Sequence, residues 1–131
     1  MRGLKMNIAI IADEGKTELL VQFCLKYCNE LSKHNLITEE SIALLINKDT
    51  GLKIETVVSS GTESKQQIFS RIAYNEIDML IFFKNPLNKQ NDAHNDEIFK
   101  ACTEHNIQLA TNPATAEALI LNLVHNDETN E

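Results

Sequence analysis

The sequence predicts an α/β domain in which one parallel sheet is covered by helices on both faces. Three observations carry that reading. Short apolar runs at Asn7–Ala12, Lys53–Val58, Asp78–Phe83 and Ile107–Ala110, with a weaker one at Asn35–Thr38, alternate with amphipathic stretches of helical length. After its first residue the run Asp78–Phe83 (DMLIFF) shows no polar alternation, as expected of a strand buried on both faces. A length of 131 residues, 43% of them hydrophobic and 24% charged, suits one domain with a single core.

The elements follow in order. Asn7–Ala12 (NIAIIA) is the first strand and Asp13-Glu14-Gly15-Lys16 a polar turn after it. Leu19, Leu20, Phe23, Leu25 and Tyr27 recur at helical spacing, which predicts a helix over Thr17–Ser32. Cys24 and Cys28 lie four apart on that helix. They read as small buried hydrophobes, because a metal pair needs His or acidic partners that the sequence does not place beside them. Thr38-Glu39-Glu40-Ser41 reads as a partial helix start with Thr38 as N-cap, and the helix carries Ile42, Leu44, Leu45 and Ile46 to its end near Gly51. Ser59-Ser60-Gly61-Thr62 then turns the third strand into a helix over Glu63–Tyr74, with Ile68, Ile72 and Ala73 facing inward. A polar connection from Lys84 to Asn95 leads to a helix over Asp96–His105 and a short strand. The last helix, Pro113–Val124, opens on a proline, whose missing N–H has no intrahelical partner at that position anyway. Residues 1–6 are expected to be a flexible N-terminus, 7–124 the domain, and 125–131 a disordered acidic tail.

Charge and hydropathy narrow the partners. A net charge of −7 argues against nucleic acid or an anionic membrane. No apolar run approaches the roughly 20 residues that span a bilayer. Met1–Lys5 leads into a strand with no long apolar segment or small-residue cleavage site, so a cytoplasmic location is expected.

The first strand IAIIA, the fourth strand with its exit NPLN at Asn85–Asn88, and ATN-ATA at Ala110–Ala116 together resemble the methylglyoxal synthase family, from Ile8 to about Leu121. The resemblance implies a three-layer Rossmann-like fold with strand order 3-2-1-4-5 and a pocket above the carboxyl ends of the first, third and fourth strands. It also implies a homo-oligomer, a hexamer, that acts without a cofactor. In that family a carboxylate base, an electrophile and a phosphate cradle convert dihydroxyacetone phosphate to methylglyoxal and phosphate. The same domain also serves as a regulatory ligand-binding module in larger enzymes, so membership alone does not imply turnover.

Laid over the family pattern, this chain has Lys65 where the family carries its catalytic aspartate, and a lysine is a cation at neutral pH. Asp13 falls on a histidine position. Lys16, through a one-residue shift, can stand for the family's phosphate-gripping lysine. The phosphate loop becomes Glu39-Glu40-Ser41-Ile42-Ala43, and the aspartate before Pro-Leu-Asn becomes Asn85. His94 matches a family histidine, with Glu97 at the acidic position near it. The chain is therefore expected to bind a small anionic or zwitterionic ligand without efficient catalysis; a diverged active lyase is the alternative. The expected ligand-binding set is Lys16, Ser59, Ser60, Lys65, Asn85 and His94, and the catalytic candidates are Asp13, Glu63 and His94. Lys65 itself reads three ways: a surface helix residue, an anion-binding group at the pocket mouth, or a carbonyl-reactive amine. His94 reads as exposed or as a pocket residue. Ser59, Ser60 and Thr62 read as helix caps whose amides could also hold an anion, and Asn112 as a cap or a ligand contact. Lys16→Ala and Lys65→Ala are each expected to weaken ligand binding and to leave the melting temperature unchanged.

Overall fold

The computed structural model describes residues 5–57, 62–87 and 92–129. Five strands, β1 (Asn7–Ala12), β2 (Asn35–Glu39), β3 (Ile54–Val57), β4 (Met79–Phe83) and β5 (Gln108–Ala110), form one sheet in the order β3-β2-β1-β4-β5. Every pairing is parallel, and β1 runs in register with β4 from Ile8 beside Met79 to Ala12 beside Phe83. The helices are α1 (Thr17–Lys26), α2 (Cys28–Leu31), α3 (Glu40–Thr50), α4 (Thr62–Ala73), α5 (Asp92–Glu104) and α6 (Pro113–Thr129). Strand order and layering are those expected.

Strand alternation divides the core in two. Ile8, Ile10, Met79, Ile81 and Phe83 point to the face covered by α1, α2, α3 and α6, which contribute Leu20, Phe23, Leu31, Ile42, Ile46, Ala116 and Ile120. Ala9, Ile11, Leu80 and Phe82 point to the other face and meet Ile68 and Ile72 of α4 and Ile98, Ala101 and Cys102 of α5. All five residues of β4 are buried, because helices cover it on both sides. Burial pushes the Cys24 thiol, beside Cys28, up to about 12, and Cys102 up to about 11. Both behave as core hydrophobes, while Cys28 is half-buried.

Several boundaries differ from the sequence reading, each for a local reason. The helix expected over Thr17–Ser32 breaks at Tyr27, which leaves helical geometry and donates its hydroxyl to Glu117 of α6. That hydrogen bond is the main cause holding the Glu117 carboxyl below its ordinary range and the Tyr27 phenol above its own. Thr38 is not a helix cap: it is fully buried in β2, and its hydroxyl donates to the Ile10 carbonyl, so Glu39 occupies the N-cap position of α3. α5 starts at Asp92, four residues early, which shortens the expected polar connection. α6 continues past Val124 to Thr129, into the expected tail. Asn112 is a cap, its Oδ1 accepting the Thr115 N–H at 3.0 Å, and Gly51 ends α3 in the left-handed region at φ 68°.

Candidate functional site

In the order 3-2-1-4-5 the chain reverses its direction of travel across the sheet between β1 and β4. Open α/β sheets bind ligands above the carboxyl ends of such a pair. Asp13 directly follows β1, and its N–H donates to the Phe83 carbonyl at 2.9 Å, so its side chain stands over this crevice. Lys84 and Asn85 follow β4, while α4 brings Lys65 in from one side and α5 brings Asn95.

These side chains make one buried polar network. The Lys65 ammonium donates to Asn95 Oδ1 at 2.9 Å and pairs with Asp13 Oδ1 at 3.5 Å. It also lies over the Phe82 ring, 5.3 Å from the centroid. The other oxygen of Asp13, Oδ2, accepts the Asn85 N–H at 3.0 Å. The side chains of Lys65 and Asp13 are 11% and 2% exposed, so the pair is screened little by solvent. Asn85 is spent within the protein as well. Its Nδ2 donates to the Glu14 carbonyl and its Oδ1 accepts the Leu87 N–H, both at 3.0 Å. Gly15 makes that approach possible: it sits at φ +88°, and a Cβ there would lie 3.1 Å from Asn85 Nδ2.

The sequence candidates therefore separate. Asp13, Lys65 and Asn85 are brought together. His94, half-buried in the first turn of α5, stands next to the residue that does face the network, Asn95. Glu63 is exposed and Lys16 is half-buried at the N-cap position of α1. Ser59 and Ser60 lie outside the described residues. Two expectations need correction. Lys65 is not a surface residue, because the core stripe Ile68–Ile72 of its own helix turns it inward onto Asp13. Removing Lys65 consequently disturbs a buried ion pair, so an unchanged melting temperature is no longer expected.

Asn95 and the Glu39–Ser64 hydrogen bond were not anticipated from the sequence. The signal for Asn95 is its spacing: with α5 begun at Asp92, Asn95, Ile98 and Cys102 fall on one buried face. Glu39, at the end of β2, accepts the Ser64 hydroxyl and thereby sets a carboxylate against the first turn of α4. Chemically, the crevice holds a carboxylate with both oxygens engaged and an ammonium with two of its three donors engaged. Among the described residues no group of three or more His, Cys, Asp or Glu could hold a metal ion, and no helix is long and apolar enough to cross a membrane.

Comparison with known proteins agrees with this frame. No protein-family model matches the chain. A methylglyoxal synthase of Caldicellulosiruptor saccharolyticus is 45% identical over 123 residues, spanning 93% of this chain and 87% of that protein. The methylglyoxal synthase of Oceanobacillus iheyensis is 39% identical over 123 residues, spanning 93% and 88%. The crystal structure of methylglyoxal synthase from Elizabethkingia anophelis superposes with a TM-score of 0.78 at 31% identity, covering 88% of this chain and 77% of the other. With near-complete coverage of both sequences and the same sheet beneath them, the chain belongs to the methylglyoxal synthase family.

Proposed function

We propose that this family member binds a small ligand at the carboxyl ends of β1 and β4 and turns over dihydroxyacetone phosphate, the substrate the resemblance implies, poorly. One observation carries the reading. The position that the resemblance gives to the base holds an ammonium group, and that ammonium is bound to Asp13 and Asn95. An ammonium cannot abstract the proton next to a carbonyl, and the neighbouring carboxylate has both oxygens occupied. The ligand's charge follows from the same network. Lys65 is already neutralised from within, which leaves Lys16 and Lys84 against Glu14, Glu39 and Glu40 at the carboxyl ends of the strands. A zwitterion or a singly charged anion suits that balance better than a phosphate dianion.

A diverged lyase is the second reading, and the position of Asp13 favours it, since a carboxylate does stand in the β1–β4 crevice. Methylglyoxal release from dihydroxyacetone phosphate separates the two. The binding reading expects a rate lower by a factor of roughly 10³ than an ordinary family enzyme, since loss of a general base alone costs roughly 10²–10⁴. A rate within about tenfold of the ordinary one would establish the lyase and make Asp13 the first residue to substitute. A cytoplasmic location and the hexamer implied by the resemblance belong to the same proposal. Light scattering on that preparation reads the assembly, and a mass near that of one chain rejects the hexamer.

A further inference from the structure

The end of the sheet opposite the β1–β4 crevice carries cations that the reading above does not use. Lys5 leads into β1, Lys53 leads into β3 and Lys26 closes α1, and together they line an open cleft of about 680 Å³. Its walls include Cys28 and Asn29, so the break between α1 and α2 faces into it. Among the described residues no Asp or Glu lines this cleft. That is a departure for a chain with 19 acidic residues against 12 basic ones.

The adjoining cleft, of about 620 Å³, shares Lys53 but adds Arg71, Glu55 and Glu76, and Arg71 is already paired with Glu55. The charges of that second cleft balance; those of the first do not. Lys26 has a partner in Glu117 at 3.5 Å, whereas Lys5 and Lys53 have no ion-pair partner among the described residues. The ordinary explanation for such lysines is that they offset helix dipoles. It accounts for Lys26 in the last turn of α1 and for part of Lys53, two residues beyond the Gly51 cap of α3. It does not account for Lys5: two helix ends of roughly half a charge each offset about one of the three lysine charges, and Glu117 answers Lys26, which still leaves the cleft positive.

We propose that this cleft is a second binding site, for a small polyanion carrying two or more negative charges. Lys5 and Lys53 supply its charge from two strand entrances, with Asn29 as a neutral donor on the helical wall. The cleft is open to solvent, so affinity is modest and falls as salt rises. The site is independent of the crevice at the other end of the sheet.

Inorganic diphosphate titrated into the full-length protein at low ionic strength tests this, with binding heat and melting temperature as readouts. The parent is expected to bind, and Lys5→Ala and Lys53→Ala are each expected to weaken binding by about two- to fivefold, the scale of exposed charge pairs. The double variant should show roughly the product of the two losses, because the lysines sit on separate segments. Both positions are exposed, so the unliganded variants should melt with the parent. Lys100→Ala, an exposed position on α5 outside the cleft, should bind diphosphate as the parent does. The proposal is overturned if the parent shows no binding at millimolar diphosphate, if the double variant binds as the parent does, or if Lys100→Ala weakens binding as much as the double variant does.

Discussion

The two ends of the sheet use lysine in opposite ways. Above the carboxyl ends, Lys65 is buried and held by Asp13, Asn95 and the face of Phe82. At the amino-terminal ends, Lys5 and Lys53 are exposed and have no ion-pair partner among the described residues. The difference is one of counterions: the protein supplies one to Lys65 from within, and none to Lys5 or Lys53 among the described residues. In the sequence Lys65 reads as a surface residue, an anion-binding group at a pocket mouth or a carbonyl-reactive amine; its contacts bury it against Asp13 and Asn95.

The largest effect should come from breaking the buried pair. Asp13→Ala leaves the Lys65 ammonium buried without its carboxylate and removes the acceptor of the Asn85 N–H. A loss of about 3 kcal/mol in urea unfolding is expected. Asp13→Asn combined with Lys65→Met keeps an oxygen for Asn85 and removes both charges, so it should cost clearly less than Asp13→Ala alone. If the double variant proves the less stable of the two, the pair holds the fold together by more than mutual compensation. An intermediate effect is expected at Gly15→Ala. The added Cβ meets a left-handed φ of +88° and the Asn85 amide at 3.1 Å, and the cost should be about 1–2 kcal/mol by the same unfolding measurement. A neutral result would mean that the β1–α1 turn can relax without losing the Asn85 link. The smallest effect belongs to the other end of the sheet: Lys53→Ala should stay within about 0.5 kcal/mol of the parent. A larger loss there would show that Lys53 supports the fold, and the contrast between the two ends would fail.

Most of the fold was legible because it rests on period and punctuation. The all-apolar MLIFF run marked the central strand, and Pro113 and Gly51 marked helix ends where they were found. What could not be read depends on partners distant in sequence. Nothing around Tyr27 interrupts the helical spacing; the break comes with a hydrogen bond to Glu117, 90 positions away. Asp13 lies in a polar turn by sequence, yet the Lys65 and Asn85 partners that allow its burial lie 52 and 72 positions on. The site was therefore legible as a list of neighbours but not as a network. Asp13, Lys65 and Asn85 were all named, whereas Asn95 was hidden in a run of polar residues that turned out to be helical.

The Asp13–Lys65 pair also bears on how such a chain could change over time. Lys65→Asp, the single step that would restore a carboxylate where the resemblance places the base, sets two acids side by side in a buried crevice, where like charges resist joint ionisation. A first step at Asp13 instead strands the lysine. Either single substitution meets a less stable or miscast protein, so the two positions are coupled and change most readily together.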